Sequence, residues 1–202
     1  MLKSNSHRSD RRVRRTQKAI EQAFAELMSA KDISSITVSE LAEKADIHRA
    51  TFYSHYSDIP ELYEVIQRSV IDDLEKILEP DPVKGKNMNS EEVLGMLVDY
   101  IYGRRDTFKM LLTRNSTHAF YVEASKLFEP LYLEIFWGDL EFPEGRYDTS
   151  LFAKYHIQGC IAVLGAWAED DFKDTPEKII DTLADLDSHF DQLMYRIASP
   201  GN

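Results

Sequence analysis

A single cysteine, Cys160, stands in 202 residues. That scarcity leaves no intrachain disulfide framework, fits a reducing, cytoplasmic compartment, and removes a cysteine-based zinc site. Long apolar runs are also missing. None approaches the roughly 18 to 20 residues that cross a bilayer, so no membrane partner is expected. The amino-terminal stretch MLKSNSHRSDRRVRR lacks the apolar segment of a secretory signal. No run of alternating apolar and polar β-branched residues is bounded by turn dipeptides, which excludes strands and makes the chain all-α. The sequence also has no G-x-S-x-G, no phosphate-cradling glycine loop and no H-E-x-x-H. An enzyme is therefore not expected, and neither is a cofactor or a metal. With 43% hydrophobic and 29% charged residues, what remains is a soluble globular protein, either one domain or a small module attached to a larger one.

Charge is distributed unevenly. The formal net charge of -11 argues, taken whole, against a polyanionic partner. Residues 1–60, however, carry ten lysines and arginines against eight acids, whereas the rest carries fourteen against twenty-seven. Within the first eighteen residues the ratio is seven to one. Such a chain reads as a basic arm able to meet phosphate, joined to an acidic body that phosphate would repel.

Helical periodicity runs almost throughout. Ile20, Ala23, Phe24, Leu27 and Met28 recur at spacings of three and four within a helix from Thr16 to Ala30, which Lys31–Ile36 interrupts. Thr37-Val-Ser-Glu40 has capping-box form, with the Thr37 hydroxyl accepting from the Glu40 amide and the Glu40 carboxylate returning to Thr37. A short helix from Val38 to about Ala45, a tight connection at Asp46-Ile47 and a second short helix from His48 to about His55 follow. Ser57 or Asp58 caps the next helix, which tolerates Pro60 in its first turn and runs through Leu62, Val65, Ile66, Val70 and Leu74 to about Leu78. Residues 79–90 read as a loop. Further helices are expected at about 91–103, 106–114, 116–138, 148–170 and 175–198, with a loop at Gly138–Arg146 that contains Pro143 and Gly145. No internal repeat is present.

Two short helices with a tight turn, preceded by a longer one, are the parts of a helix-turn-helix DNA reader. An α-helix about 10 to 12 Å across fits a major groove of about 12 Å. Val38, Leu41, Ala42 and Ala45 would pack inward with Ile47 and Phe52, leaving His48, Arg49, Thr51, Ser54 and His55 outside. Residues 16–62, above all ITVSELAEKADIHRATFYSHYSDIPEL, resemble the DNA-binding domain of TetR-type transcriptional regulators. The run Phe52-Tyr53-Ser54-His55-Tyr56 fits that family's recognition helix position by position. Tyr155 to Trp167, with Gly159 and Gly165, looks like the second-last helix of a TetR subgroup common in Gram-positive bacteria.

The resemblance implies a homodimeric regulator, usually a repressor, that binds a palindromic double-stranded operator and senses a small-molecule effector in an all-α C-terminal domain. It divides the chain into a DNA-binding domain at 1–57 and an effector-binding and dimerisation domain at 58–202. Carried over by position, it puts Thr37 and Tyr53 on phosphates and His55 near one. Arg49 becomes the candidate for bidentate reading of guanine, worth about 1 to 3 kcal/mol of discrimination. Thr51 contributes a thymine methyl contact or a phosphate hydrogen bond, with His48, Ala50 and Ser54 on the same surface. Arg11, Arg12, Arg14 and Arg15 lie along the backbone or reach a minor groove. Tyr56 fills the small core. One position departs from the family pattern: many relatives begin the fourth helix with a phosphate-binding lysine, and this chain has Ile59. That loss favours an alternative, a TetR-fold adapter or co-regulator acting through protein partners without a small-molecule ligand.

In the last helix Ile179, Leu183, Leu186, Phe190, Leu193 and Ile197 are spaced four, three, four, three, four, a heptad-like seam. The preceding helix offers Phe152, Tyr155, Gly159, Ala162 and Ala166, whose small residues allow close approach. Both stripes suit either the chain's own core or, as the resemblance implies, a four-helix bundle between two subunits. Residues 96–136 concentrate Met, Phe and Tyr, and Met96, Tyr100, Phe108, Phe120, Tyr121, Phe128 and Tyr132 suit an effector pocket or a packed core.

Overall fold

The computed structural model describes residues 4–79, 90–112 and 118–198, with the side chains of 4–10, 90, 118–119 and 135 left aside. The proline- and glycine-bearing stretch at 80–89 and the junction at 113–117 therefore lie outside the described residues. Among the described residues there are helices and turns but no strand: α1 (Ser4–Ala30), α2 (Val38–Lys44), α3 (Arg49–Tyr53), α4 (Ile59–Leu78), α5 (Ser90–Gly103), α6 (Arg105–Leu112), α7 (His118–Pro130), α8 (Thr149–Glu169) and α9 (Pro176–Ala198). The all-α expectation holds. None of these helices is long and apolar enough to cross a membrane.

Backbone contacts divide the chain into two units. Residues 1–69 group with 106–116, and residues 70–105 group with 117–202. In the first unit α1 is longer than its apolar stripe predicts. It starts at Ser4 rather than Thr16, so the basic segment is an extension of the helix and not a separate arm. The cause is local: residues 1–30 contain neither glycine nor proline, and arginine, lysine, glutamine and alanine are good helix formers. Ile20, Phe24 and Met28 on α1, Leu41 and Ala42 on α2, Phe52 on α3, and Leu62 and Ile66 on α4 form its core, all essentially excluded from solvent. Phe24 meets the Tyr63 ring edge-on with centroids 6.2 Å apart.

Thr37 caps α2 as predicted, its side chain accepting from the Glu40 amide at 3.3 Å. The Glu40 carboxylate, however, pairs with Lys31 Nζ at 2.5 Å, so an ion pair takes the place of the reciprocal half of the capping box. The turn after α2 closes by a Schellman arrangement, with Ile47 N–H donating to Ala42 O at 2.9 Å and Asp46 N–H to Glu43 O at 3.2 Å. Asp46 takes the left-handed position with φ 52°, where glycine is usual and aspartate is among the few tolerated alternatives. Asp58 caps α4 by accepting from Glu61 N at 2.8 Å, while the Glu61 carboxylate accepts from Ser57 N at 2.5 Å.

The second unit is a helical bundle in which α5 packs along α9 and α7 along α8. Pro130 ends the regular part of α7. It has no N–H for the ladder, and its ring crowds the carbonyl four residues back. The chain answers by widening into a π-helical segment, Leu131–Phe136, closed by Trp137 N–H donating to Tyr132 O at 2.9 Å. Gly138 follows, where a Cβ would collide with the Glu134 carbonyl. The loop at 138–146 falls where it is expected, and α8 then starts from an Asp148 cap that accepts from Ser150 N at 3.0 Å.

Candidate nucleic-acid interface and apolar cavity

The recognition element is built from inside outward. Phe52 is fully buried and anchors α3, with the Tyr53 ring edge-on at 5.6 Å and the Tyr56 ring at 5.7 Å. Helix α3 is shorter than periodicity suggests. It begins at Arg49, with His48 as its N-cap residue and no side-chain cap bond, and ends at Tyr53. His48, Arg49, Ala50, Tyr53 and Ser54 are exposed, while Thr51 and His55 are half-buried. Tyr53 keeps 51% of its surface open. Thr37 is exposed at the start of α2, and Arg11, Arg12, Arg14 and Arg15 are exposed along α1. Ser54 Oγ donates back to the Thr51 carbonyl at 2.7 Å, which ties that hydroxyl to the end of α3.

Tyr56 is buried, and burial, followed by the Glu21 charge, raises its phenol above the ordinary value. It fills the core, as expected. Ile59 is likewise buried at 5% exposure, so the position where many relatives place a lysine is here a core position.

In the second unit a cavity of about 70 Å³ is lined mostly by apolar side chains of α5, α7, the π-helical segment, α8 and α9. By the same measure a single water needs about 10 to 15 Å³. Of the seven residues expected to line a pocket, Phe128 and Tyr132 do so; Leu97, Leu131, Phe136, Ile157, Ile161 and Leu183 complete most of the wall. Met96 points to solvent, Phe108 is buried in the first unit, and Phe120 is buried beside Tyr121 at 6.4 Å, all away from the cavity lining. Tyr100 is engaged elsewhere. Its hydroxyl donates to Asp73 at 3.0 Å and accepts from Arg104 at 2.7 Å, which joins α4 to α5. Burial, opposed by Arg104, pushes this phenol up to about 12.

Sequence reading misses the polar end of the cavity. His156 on α8 and Asp187 on α9, both buried, are hydrogen-bonded through Nε2 and Oδ1. Cys160 Sγ lies 3.7 Å from the same ring nitrogen, and Tyr132 Oη is 3.4 Å from the same carboxylate oxygen. Cys160 and Asp187 both line the cavity. Burial pulls the imidazolium down, but the hydrogen bond to Asp187, helped by the Cys160 sulfur, outweighs it and holds His156 at about 9. The ring is stacked on Phe190 at 4.5 Å and met edge-on by Tyr132 at 5.0 Å. His156 and Cys160 sit four residues apart on one helix, which is a visible signal. Asp187 lies thirty-one residues from His156, which is not.

The two stripes read as a subunit seam divide. Ile179 and Leu183 are buried in the chain's own core, whereas Leu186 is 50% exposed and Phe190, Leu193 and Ile197 are intermediate. The physical reason is drift. A strict seven-residue spacing falls behind a straight helix of 3.6 residues per turn, so the stripe starts inward and turns outward. On α8, Tyr155 is 74% exposed, Gly159, Ala162 and Ala166 are exposed, and Phe152 is half-buried.

An exposed, donor-bearing short helix set on a buried aromatic anchor, after a helix with a hydroxyl cap, defines a helix-turn-helix protein of all-α build. Residues 20–66 match the family model described as "Bacterial regulatory proteins, tetR family", and residues 88–188 match "Transcriptional regulator C-terminal region". The chain belongs to the TetR family of transcriptional regulators. It is 39% identical over 94 residues to the HTH-type transcriptional regulator YxbF of Bacillus subtilis (strain 168), a match spanning 44% of this chain and 24% of that relative. A TetR transcriptional regulator from Streptococcus agalactiae 2603V has the same fold, with TM-score 0.60, 21% identity, and 94% of this chain and 98% of that one covered. The dihydroxyacetone kinase operon activator DhaS superposes with TM-score 0.59 at 19% identity, covering 91% of this chain and 98% of that one.

Proposed function

We propose that this protein is a homodimeric, sequence-specific repressor that grips a palindromic operator through α3 and α1 and is released by an apolar small molecule. The observation that carries the proposal is the exposed set His48, Arg49, Ala50, Tyr53 and Ser54, presented by the buried Phe52 and joined by the exposed arginines of α1. Arg49 has the fork geometry that reads guanine, and Thr51 the methyl that meets thymine. Thr37, Tyr53 and His55 take phosphates, and Arg11, Arg12, Arg14 and Arg15 follow the backbone or enter a minor groove. The exposed faces of α8 and the C-terminal part of α9, from Tyr155 and Gly159 to Leu186 and Leu193, join two copies. A dimer places two recognition helices about 34 Å apart and combines their affinities. The cavity takes the effector, which must bind the DNA-free arrangement more tightly, since equal binding shifts nothing.

Fluorescence-anisotropy titration on fragments upstream of this gene and its neighbours tests the reading. Steeply salt-dependent binding is expected, weakened by Arg49→Ala at all salt concentrations and losing slope when residues 1–12 are removed. A reporter fused to the bound promoter should rise when the gene is deleted; a fall would make the protein an activator, as the name of its fold neighbour DhaS describes that protein. The buried Ile59 favours a second reading, a co-regulator acting through protein partners with weakened DNA contacts. Absent or salt-insensitive binding, unchanged by Arg49→Ala, would decide for it.

A further inference from the structure

We propose that His156, Cys160 and Asp187 form a binding site for a divalent transition-metal ion of the zinc class, at the polar end of the apolar cavity. The argument is geometric. The three donor atoms, a ring nitrogen, a sulfur and a carboxylate oxygen, all lie within 4.8 Å of one another. A tetrahedral zinc ion with Zn–S of about 2.3 Å and Zn–N of about 2.0 to 2.1 Å separates its sulfur and nitrogen by about 3.6 Å. The Cys160 Sγ to His156 Nε2 distance is 3.7 Å. His156 Nε2 and Asp187 Oδ1 are hydrogen-bonded to each other directly. The ion takes the place of the shared proton, and a carboxylate rotation opens that contact to about 3.3 Å.

The single cysteine, expected from the sequence to remove a cysteine-based zinc site, here supplies one of three mixed donors, and that donor set selects the ion. Thiolate with imidazole suits zinc and its neighbours and is foreign to magnesium or calcium, which take oxygen. The surroundings are those of a supported site. The His156 ring is clamped by Phe190 and Tyr132, and the Tyr132 hydroxyl reaches the Asp187 carboxylate. Because Cys160 and Asp187 also line the cavity, there is room for a water as fourth ligand. A buried His–Asp pair is weak evidence for a purely stabilising role, because apolar residues of similar volume often serve as well or better. The presence of a third donor at ligand distance is what that role leaves unexplained.

The test uses the untagged full-length chain, stripped with a chelator and titrated with Co²⁺. One equivalent should produce a thiolate-to-cobalt charge-transfer band together with the intense visible bands of four-coordinate cobalt, and Zn²⁺ should bleach both. Cys160→Ser, a one-atom change at a half-buried position, should abolish the charge-transfer band with the far-ultraviolet helix signal intact. Asp187→Asn should weaken Zn²⁺ by more than about tenfold. Zn²⁺ should raise the melting temperature of the parent chain and not that of Cys160→Ser. Only the spectrum of six-coordinate cobalt, a charge-transfer band that survives Cys160→Ser, or equal zinc stabilisation of both chains would overturn the site.

Discussion

Removing Asp187 strands a buried imidazolium, and the cost can be worked from the structure. The two side chains are 7% and 8% exposed, so solvent screens little of their attraction. Asp187→Leu leaves His156 without its hydrogen-bonded carboxylate, with only the charge of Asp191 nearby, and Tyr132 without an acceptor, and breaking such a pair from one side costs about 3 to 5 kcal/mol. The raised imidazolium gives a second figure. A histidine held at about 9 against an ordinary 6.5 corresponds to about 3 kcal/mol of preference for the charged form. Its sign follows from linkage. The folded value is raised, so the stabilisation is complete below pH of about 6.5 and is lost as pH rises through about 9. Replacing both partners, His156→Leu with Asp187→Leu, removes the charge as well as its partner and should return stability to within about 1 kcal/mol of the parent. Urea unfolding in a chelating buffer, followed by the fluorescence of Trp137 and Trp167, measures all three chains in the unit that contains the pair. A loss under about 1 kcal/mol for Asp187→Leu, or a double variant as weak as the single, would refute the reasoning, as would a parent-to-double difference that stays flat between pH 6 and pH 10.

Three further outcomes are expected. Thr37→Ala removes the α2 cap and should lower the stability of the first unit by about 1 kcal/mol in chemical denaturation, with Thr37→Ser restoring it. Gly138→Ala drives a Cβ into the Glu134 carbonyl and should cost about 1 to 3 kcal/mol in the second unit, read from the same tryptophans. Tyr100, raised to about 12, should be absent from the phenol titration near pH 10. The stability it contributes is complete below that pH and lost as pH rises through about 12, so Tyr100→Phe should flatten the decline in melting temperature over that window.

The helix-turn-helix is readable in the sequence because local chemistry writes it. A hydroxyl cap, a left-handed turn residue and a buried phenylalanine flanked by polar side chains all act within about fifteen residues. The basic segment reads as an arm from its charge, whereas its helix propensity, with no glycine or proline in residues 1–30, makes it part of α1. The seam is readable as a stripe, but which part faces inward depends on how a heptad drifts around a straight helix, and that needs the neighbouring helices. The aromatic concentration at 96–136 contains side chains with three fates: Phe128 and Tyr132 at the cavity, Tyr100 in a polar network, Phe108 in the other unit. Composition cannot separate them, because topology decides which aromatic meets which void. The His156–Asp187 contact is invisible for the same reason, since it joins side chains thirty-one residues apart on two helices whose facing sides only packing decides.

A π-helical turn is the imprint of one surplus residue in a helix. At Leu131–Phe136 that surplus sets the angular position of everything from Tyr132 to Trp137, two of whose aromatics, Tyr132 and Phe136, wall the cavity. Losing one residue here would turn the side chains downstream of it by about 100° around the helix axis. Chain length in this stretch is thus a dial on the shape of the cavity, one that a single codon insertion or deletion can turn without replacing any lining residue.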